Sequence, residues 1–571
     1  MRFLVLAADY DGTLAADGKV DDPTLDALQR LRASGRKLIL VTGRHLPDLC
    51  KVFPHLDLFD RVIVENGGLL FRPQTREEKP LTEAPNEQFL SLLRERGVPF
   101  SAGKTIVATW KPHEEEVLKA IRDLGLELQV IFNKGAVMVL PSGVNKGTGL
   151  AAALEELRLS PHNVVGVGDA ENDHAFLKAC ECSVAVDNAL PALKERADVV
   201  LSKARGAGVT ELCEQLIARD LADYDSKLKR HFLTLGQRVD EAKEPVLVNP
   251  RGASILVAGR SGSGKSTAVS GILEQLVENE YQFCLIDPEG DYDGFTKAIT
   301  FGSAKEAPDA NAILRALESP DASVQVNLLG IQLDDRPAFL ASLLPHLEHL
   351  RNRTARPHWL IIDEAHHLLP ASWSPVEAGL GRVLENTVLI TVHPEHIAIA
   401  ALERVEVVLG IGESACAVLR SFAEVMQVQA PGYSGRDPEP GEGVAWFPKG
   451  EAGPLLLKPV RSSRERLRHV RQYAEGELSP QQSFFFRGPE SKLNLRAQNL
   501  RSFLQLAEGV DDETWMFHLR RGDFSSWFKA IIKDEELARQ AAQIERDQSA
   551  SPENSRERIR EAVDSRYTAS A

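Results

Sequence analysis

The chain has 571 residues, too many for one hydrophobic core, and length suggests about three or four domains. Hydrophobic content of 43% and charged content of 26% mark an ordinary globular protein, while a net charge of −15 excludes a global attraction to nucleic acid or anionic membrane. The six cysteines are scattered without a CxxC pair, which excludes a zinc ribbon and makes a reduced, cytoplasmic chain the expectation.

The opening "MRFLVLAADYD" is apolar but reaches a carboxylate by Asp9, so it reads as a strand and not as a signal peptide. No stretch approaches the roughly 18 apolar residues of a membrane helix, so no membrane association is expected. Buried strands are predicted at 3–9, 37–43, 61–67, 163–169 and 182–188, with helices such as "TLDALQRLRAS" between them. Apolar strands alternating with helices predict a doubly wound parallel α/β sheet over 1–215. Residues 82–143 interrupt that rhythm with a charged helix and the strands "TIVATW" and "GAVMVLP", predicting a small inserted α+β cap. A charged, helical linker is expected at 216–245. A second α/β domain is expected over 246–470, with strands "ASILVAG", "QFCLIDP", "SVQVNLL", "HWLIIDEA" and "TVLITVHP". A basic bridge around 461–471 leads to a small, mainly helical module at 484–545, and a polar, mobile tail, partly helical, is expected over 546–571.

Open α/β sheets bind ligands at the carboxyl ends of their strands. Asp9 ends the first strand, with Asp11 two residues on. Thr42 ends the second, Lys146 follows the insert, and Asp169 ends "NVVGVGD" with Asn172 and Asp173 in the next turn. A carboxylate can attack a phosphoryl group, a second can handle the proton, and a lysine and a hydroxyl can hold the phosphoryl oxygens. Carboxylate oxygens also suit Mg²⁺.

"DYDGTL", "VTGR", Lys146 and "GDAENDHAFL" together resemble the four motifs of the haloacid dehalogenase superfamily, in order. "VIVENGG" and the place of the insert resemble its Cof-type branch. The resemblance implies Asp9 as nucleophile, Asp11 as acid and base, and Thr42 and Lys146 as phosphate holders. It implies Mg²⁺ held by Asp9, Asp169 and the backbone of Asp11, with Asp173 in support. The cap would set specificity, with Lys104, Lys111, His113, Asn133 and Lys134 as candidates weighed against a solvated surface role.

"GRSGSGKST" satisfies G-x-x-x-x-G-K-[ST] between a strand and a helix, the context of a P-loop. Gly259, Gly262, Ser263, Gly264, Lys265, Ser266 and Thr267 are the expected ATP-binding residues, with Ser266 on Mg²⁺. "WLIIDEAHHL" supplies Asp363 beside the metal and Glu364 to polarise a water, which favours hydrolysis over a kinase reaction. "CLIDPEGDYDGF" and "TVHPEHI" make the domain resemble HerA/FtsK-type ATPases, with Asp287 and Glu289 in the acidic segment and Thr391 and His393 as sensor candidates. His366 and His367 read as structural. That resemblance implies a homo-oligomeric ring with an arginine finger from a neighbour (Arg382, Arg404 and Arg420 are candidates), and DNA as a partner. No DNA-binding motif accompanies it.

The third unit offers Leu493, Leu495, Leu500, Phe503, Leu504 and Leu506 as a helical apolar face, extended by Trp515, Phe517, Trp527 and Phe528. It resembles a small C-terminal module of unknown function, with Arg496, Arg501, Arg520 and Arg521 on its surface. The leading reading is a Mg²⁺-dependent hydrolase of a small phosphorylated metabolite, acting through an aspartyl-phosphate and fused to an ATP-hydrolysing domain. Two alternatives stand beside it: nucleic-acid end processing coupled to a DNA-translocating ATPase, and a nucleotide-regulated assembly module.

Overall fold

The computed structural model describes the chain except residues 134, 226, 229, 241–242, 251, 293–294, 296, 374–383, 434, 451, 463–477, 479–482, 533, 548 and 568–571. It divides into two units, Met1–Val460 and Arg461–Ala571.

The first sheet of the larger unit has eight strands, in the order Val199–Val200, Cys182–Ala185, Val164–Gly168, Val5–Asp9, Lys37–Val41, Arg61–Val64, Leu69–Arg72, Glu77–Pro80. The five strands expected from the sequence, with Val199–Val200 added at the edge, form its parallel part. Their residues are almost wholly buried because helices cover both faces. The last two strands pair antiparallel, so the sheet is mixed at this edge.

The helices start where local chemistry directs. Asp21 caps Asp22–Ala33 by accepting from the Thr24 N–H at 3.0 Å, with Pro23 in the first turn. Asn145 caps Lys146–Leu157 in a reciprocal capping box with Thr148, which fixes Lys146 as the first helical residue. The inserted region is a four-stranded antiparallel sheet, Ser101–Ala102, Val107–Trp110, Ala136–Pro141, Leu128–Asn133, backed by helices Glu87–Glu95 and Glu114–Asp123.

The second sheet has eleven strands. Its parallel part runs Val405–Ile411, Ser254–Ala258, Thr387–Thr391, Trp359–Ile362, Phe283–Asp287, Ser323–Asn327, Ala298–Phe301. Beyond Val405–Ile411 it continues antiparallel through Gly443–Trp446, Leu455–Pro459, Leu233–Arg238 and Pro245–Val248.

Two expectations are corrected here. The segment 216–245 is not a helical linker: its second half holds the strand Leu233–Arg238, which pairs on both sides within the second sheet. Leu233 and Leu235 point into the core while Thr234 lies between them, an alternation that the surrounding charges obscure in the sequence. Nor is the tail over 546–571 mobile throughout. Pro552–Tyr567 is a helix whose Ile559 and Val563 are buried, and its Ser555 accepts a hydrogen bond from Trp515 Nε1 at 2.9 Å.

In the smaller unit, a hairpin of Phe484–Phe486 and Leu495–Ala497 packs with five helices around Phe486, Phe503, Trp515 and Phe524. Leu495 is exposed and lies off the expected apolar face. No helix among the described residues is long and apolar enough to cross a membrane.

Candidate functional site

The first site lies at the carboxyl ends of the central strands of the eight-stranded sheet. Adjacent strands carry Asp9, Thr42 and Asp169 to one edge, and the helix cap at Asn145 delivers Lys146 to the same place. Lys146 Nζ lies 2.5 Å from Asp9 Oδ1 and 2.6 Å from Asp173 Oδ1. All three side chains are buried. Oxygens of Asp9, Asp169 and Asp173 lie within 4.8 Å of one another. Burial and the neighbouring Asp173 carboxylate, opposed by Lys146, push the Asp9 carboxyl up to about 8.

Asp173 has a clear local task. Its Oδ2 accepts from the backbone N–H groups of Asp169 and Ala170, both at 2.9 Å, while Oδ1 accepts from Lys146. It therefore holds the lysine and shapes the loop after the strand. Thr42 is buried and its Oγ1 accepts from the Arg44 N–H at 3.2 Å.

Asp11 is partly exposed and forms a two-pronged ion pair with Arg44, with Nε and Nη2 each 2.7 Å from a carboxylate oxygen. Arg44 also reaches Asp48 at 2.9 Å. Sequence reasoning quoted "VTGR" without giving this arginine a role. The signal was the one cation in that motif.

Glu65 was missed as well. It follows the strand Arg61–Val64, is buried, and accepts from the backbone N–H groups of Lys104, Thr105 and Ile106 and from the Thr105 hydroxyl. A core carboxylate thus grips the cap. The signal was an acidic residue ending an apolar run. Beside it, Gly67 has φ +105°, and a Cβ there would meet the Asn145 carbonyl oxygen at 1.9 Å. Only glycine lets this loop approach the cap residue that places Lys146.

Among the cap candidates, Lys104 pairs through Nζ with Glu78 at 2.9 Å, Lys111 lies over the Phe132 ring, and His113 packs its ring against Trp110. None of these interactions involves the Asp9 cluster. The Asn133 side chain and Lys134 lie outside the described residues. The cap reaches the site through Met138, whose sulfur stands 3.5 Å from the place of a Cβ on Gly43, next to Thr42.

The second site lies at the mouth of the eleven-stranded sheet. The loop between Ser254–Ala258 and the helix Lys265–Glu278 contains Gly262 and Gly264, both at positive φ. It leads into a helix whose first N–H groups have no partner within the helix, the feature that receives phosphate. Gly259 begins this loop and Ser263 lies within it, while Lys265, Ser266 and Thr267 open the helix. Lys265 Nζ folds onto the carbonyls of Gly259 at 3.0 Å and Arg260 at 3.2 Å.

One strand, Thr387–Thr391, separates the loop-bearing strand from Trp359–Ile362. This brings Thr391 between the loop and the Asp363–Glu364 pair. Burial, reinforced by the Glu364 and Asp287 charges, pushes Asp363 up to about 7. Glu364 has φ +43°, a strained conformation for a residue with a side chain.

His366 does more than pack. Its Nδ1 lies 3.0 Å from Thr391 Oγ1 and 3.3 Å from Glu364 Oε2, linking the two. His393 donates its backbone N–H to Thr391 Oγ1, and its ring pairs with Glu395. Asp287 is fully buried and accepts from the N–H groups of Gly290, Asp291 and Tyr292 and from Gln325, so it shapes its own turn. Glu289 lies close enough to Glu364 for their charges to oppose each other. Arg404 faces Glu385, Arg420 bonds the Cys416 carbonyl, and Arg382 lies outside the described residues, as does most of the basic stretch 461–471.

Comparison with known proteins follows this division. A family described as haloacid dehalogenase-like hydrolase matches residues 6–123 and 101–212, and an AAA ATPase domain matches 237–390. A phosphoglycolate phosphatase of Methanothermobacter thermautotrophicus is 33% identical over 217 residues, covering 36% of this chain and 95% of that protein. Phosphoglycolate phosphatase 2 of Saccharolobus solfataricus is 29% identical over 221 residues, 38% of this chain and 93% of that protein. Among solved structures, a haloacid dehalogenase-like hydrolase from Bacteroides thetaiotaomicron aligns with TM-score 0.34 and 17% identity over 38% of this chain and 99% of that one. The residues that build the Asp9 site lie within the stretch matched by the hydrolase family, and the chain belongs to the haloacid dehalogenase-like hydrolases as a phosphatase fused to an AAA ATPase domain.

Proposed function

We propose that the chain hydrolyses a small phosphomonoester, a sugar phosphate or a phosphoglycolate-like acid, through an aspartyl-phosphate on Asp9, and that it hydrolyses ATP at its second site. The observation that carries this reading is the Lys146 ammonium held between Asp9 and Asp173 with the Asp169 carboxylate alongside. The named substrate of the aligned phosphatases supports the choice of a small anionic metabolite.

The donor set fits Mg²⁺: buried carboxylate oxygens close together, with no sulfur or imidazole ligand among them. Asp9, Asp169 and the Asp11 backbone would hold it, and when bound it would neutralise charge on the phosphoryl oxygens. The chain's own residues account for the remaining steps. An Asp9 oxygen forms a bond to phosphorus as the ester P–O bond breaks, and Asp11 gives its proton to the departing alkoxide. Asp11, now a carboxylate, takes a proton from water as the water attacks phosphorus, releasing phosphate and restoring Asp9. Lys146 and Thr42 hold the transferring oxygens while charge shifts among them.

At the second site, Lys265 would leave the loop carbonyls for the nucleotide phosphates. Ser266 and Asp363 would hold Mg²⁺, and Glu364 would orient the attacking water. Ring assembly of a HerA/FtsK-like type and a cytoplasmic location belong to the same proposal.

The deciding experiment is phosphate release from sugar phosphates, phosphoglycolate, nucleotides and 5′- or 3′-phosphorylated oligonucleotides. Lys265→Ala protein removes the ATPase background. A small metabolite turned over with Mg²⁺, and lost in Asp9→Asn, is the expected result. Preference for oligonucleotide ends would replace this reading with nucleic-acid processing, and release unaffected by Asp9→Asn would overturn it.

A further inference from the structure

Away from both sites, the joint between the phosphatase and ATPase domains brings together buried His162 and Glu181 with the half-buried His231. His162 sits in the turn Pro161–Asn163, just before the central strand Val164–Gly168, and Ser160 anchors that turn by accepting the His162 N–H. Glu181 precedes the next strand, Cys182–Ala185. His231 comes from the segment leading into the second sheet. Its neighbour Arg230 is fastened to Asp198 at 2.7 Å and to the carbonyls of Cys180 and Glu181, so the segment is held against the Glu181 turn.

The two ring nitrogens of His162 both face acceptors. Nε2 lies 2.6 Å from the Asn279 carbonyl oxygen of the ATPase domain, and Nδ1 lies 2.7 Å from Glu181 Oε2. Nε2 therefore carries a proton for Asn279. Nδ1 and the carboxylate oxygen lie close enough to share a hydrogen bond or, after a small opening, a metal ion. A proton can serve only that pair of atoms. Here a third ligand atom converges, since His231 Nε2 lies 3.6 Å from the same Glu181 oxygen. All three ligand atoms lie within 4.8 Å of one another.

The surroundings match what a metal-bound histidine needs. A ligating imidazole usually donates its other N–H to a backbone carbonyl, and ligating carboxylates are hydrogen-bonded in turn. His162 has Asn279 for the first role, and Tyr281 donates its hydroxyl to Glu181 Oε1 at 3.4 Å for the second. The Tyr281 ring also stacks on His162 at 3.8 Å, fixing the imidazole plane. His358 stands 5.2 Å from His162 ring to ring, with its Nδ1 accepting from the Gln282 N–H.

We propose that His162, Glu181 and His231 form a zinc site that fastens the joint between the phosphatase and the ATPase. Two imidazoles and one carboxylate suit zinc better than the hard cation of the phosphatase site. Bonds of about 2.0–2.2 Å at tetrahedral angles put ligand atoms roughly 3.3–3.6 Å apart. The Glu181–His231 spacing meets that value, and the His162–Glu181 pair needs a small opening. The metal's chemical effect is structural: it ties the segment before Leu233 to the turn that contacts Asn279.

The test uses the full-length protein, stripped with chelator and titrated with Zn²⁺ and Co²⁺. The proposal expects a Co²⁺ visible spectrum of tetrahedral type and a zinc-dependent rise in melting temperature. In His231→Ala both should be lost. Zinc affinity should fall by more than the roughly 10–100-fold that losing an outer partner costs. His231→Gln, which keeps a polar side chain, serves if His231→Ala folds poorly. Among the described residues two other clusters could also take up an added metal ion, so Asp169→Asn and the double substitution His393→Ala with His396→Ala serve as controls and should leave the signal intact. Zinc binding identical in wild type and in both His231 variants, or no zinc held above the controlled background, would overturn the site.

Discussion

At the level of single residues, each of the two proposed sites sets a positioned charge beside the group proposed to handle a proton. Arg44 engages both carboxylate oxygens of Asp11 in a two-pronged ion pair, so Asp11 must part from Arg44 before it can reach a leaving group. Asp11→Asn removes the proton carrier and leaves Asp9 and Lys146 in place. Phosphate release should fall by about 10²–10⁴-fold, the usual worth of general acid–base catalysis. Steady-state kinetics check this, and a KM change with unaltered kcat would assign Asp11 to binding alone. At the second site, Glu364 stands in a strained backbone conformation beside His366. Glu364→Gln should retain ATP binding while hydrolysis drops by at least about 10². Equilibrium binding of a fluorescent ATP analogue together with phosphate release separates the two effects, and hydrolysis at the wild-type rate would remove Glu364 from the chemistry.

At the level of elements, the cap is governed by one core carboxylate. Burial alone would raise Glu65, but hydrogen bonds from His45, Thr105 and Lys104 outweigh it and hold the carboxyl down at about 2. A lowered folded value stabilises above the ordinary carboxyl value near 4.5, and that stabilisation is lost as pH falls from there toward 2. Glu65→Gln should therefore cost about 1–3 kcal/mol at pH 7 and flatten the acid limb of phosphatase melting between those values. Thermal unfolding at stepped pH reads this directly; an unchanged acid limb would show that the cap is held by other contacts. In the smaller unit, Pro552–Tyr567 fills a core that includes Trp515. Ile559→Ala should lower the stability of residues 461–571 by about 2–5 kcal/mol. The change in Trp515 fluorescence on denaturation checks it, and a shift near zero would mean the helix is not part of that core. The central parallel strands of both sheets, the P-loop and the order Asp9, Thr42, Lys146, Asp169 were legible in the sequence because each follows a local rule: an apolar run, then chemistry at its carboxyl end. Glu65, Leu233–Arg238 and Pro552–Tyr567 were not legible. Their roles come from partners distant in the chain (Thr105, Leu457 and Trp515), and neither charge nor polarity on the local stretch reports such a partner.

At the level of the whole molecule, the two catalytic domains share a joint whose chemistry differs from a solvated interface. Arg356 is fully buried, and burial pushes its guanidinium down to about 10. Its donors reach the Gln282 side chain and the Leu317 and Glu318 carbonyls on its own domain, and the Arg158 carbonyl of the phosphatase at 3.0 Å. Together with His162 on Asn279 and Tyr281 stacked on His162, this gives a joint made of desolvated polar groups that lose their partners if the domains part. When one domain unfolds, the groups it leaves behind on the other lose their partners while still partly desolvated, so loss of one domain should weaken the other. Unfolding of the two domains should then be coupled. In calorimetry of the full chain with excess chelator, phosphatase and ATPase should melt within one transition. Tyr281→Ala removes the ring that covers His162 and should cost about 3–5 kcal/mol, the usual loss for truncating a buried aromatic side chain. Because that cost falls on the contact between the domains, it should split the single transition into two and leave the later one near its original temperature. Two separate transitions already present in the wild type would show that the joint does not couple the domains. A uniform downward shift in Tyr281→Ala, without splitting, would place the loss inside the ATPase core around Phe283 and Trp359 instead of in the joint.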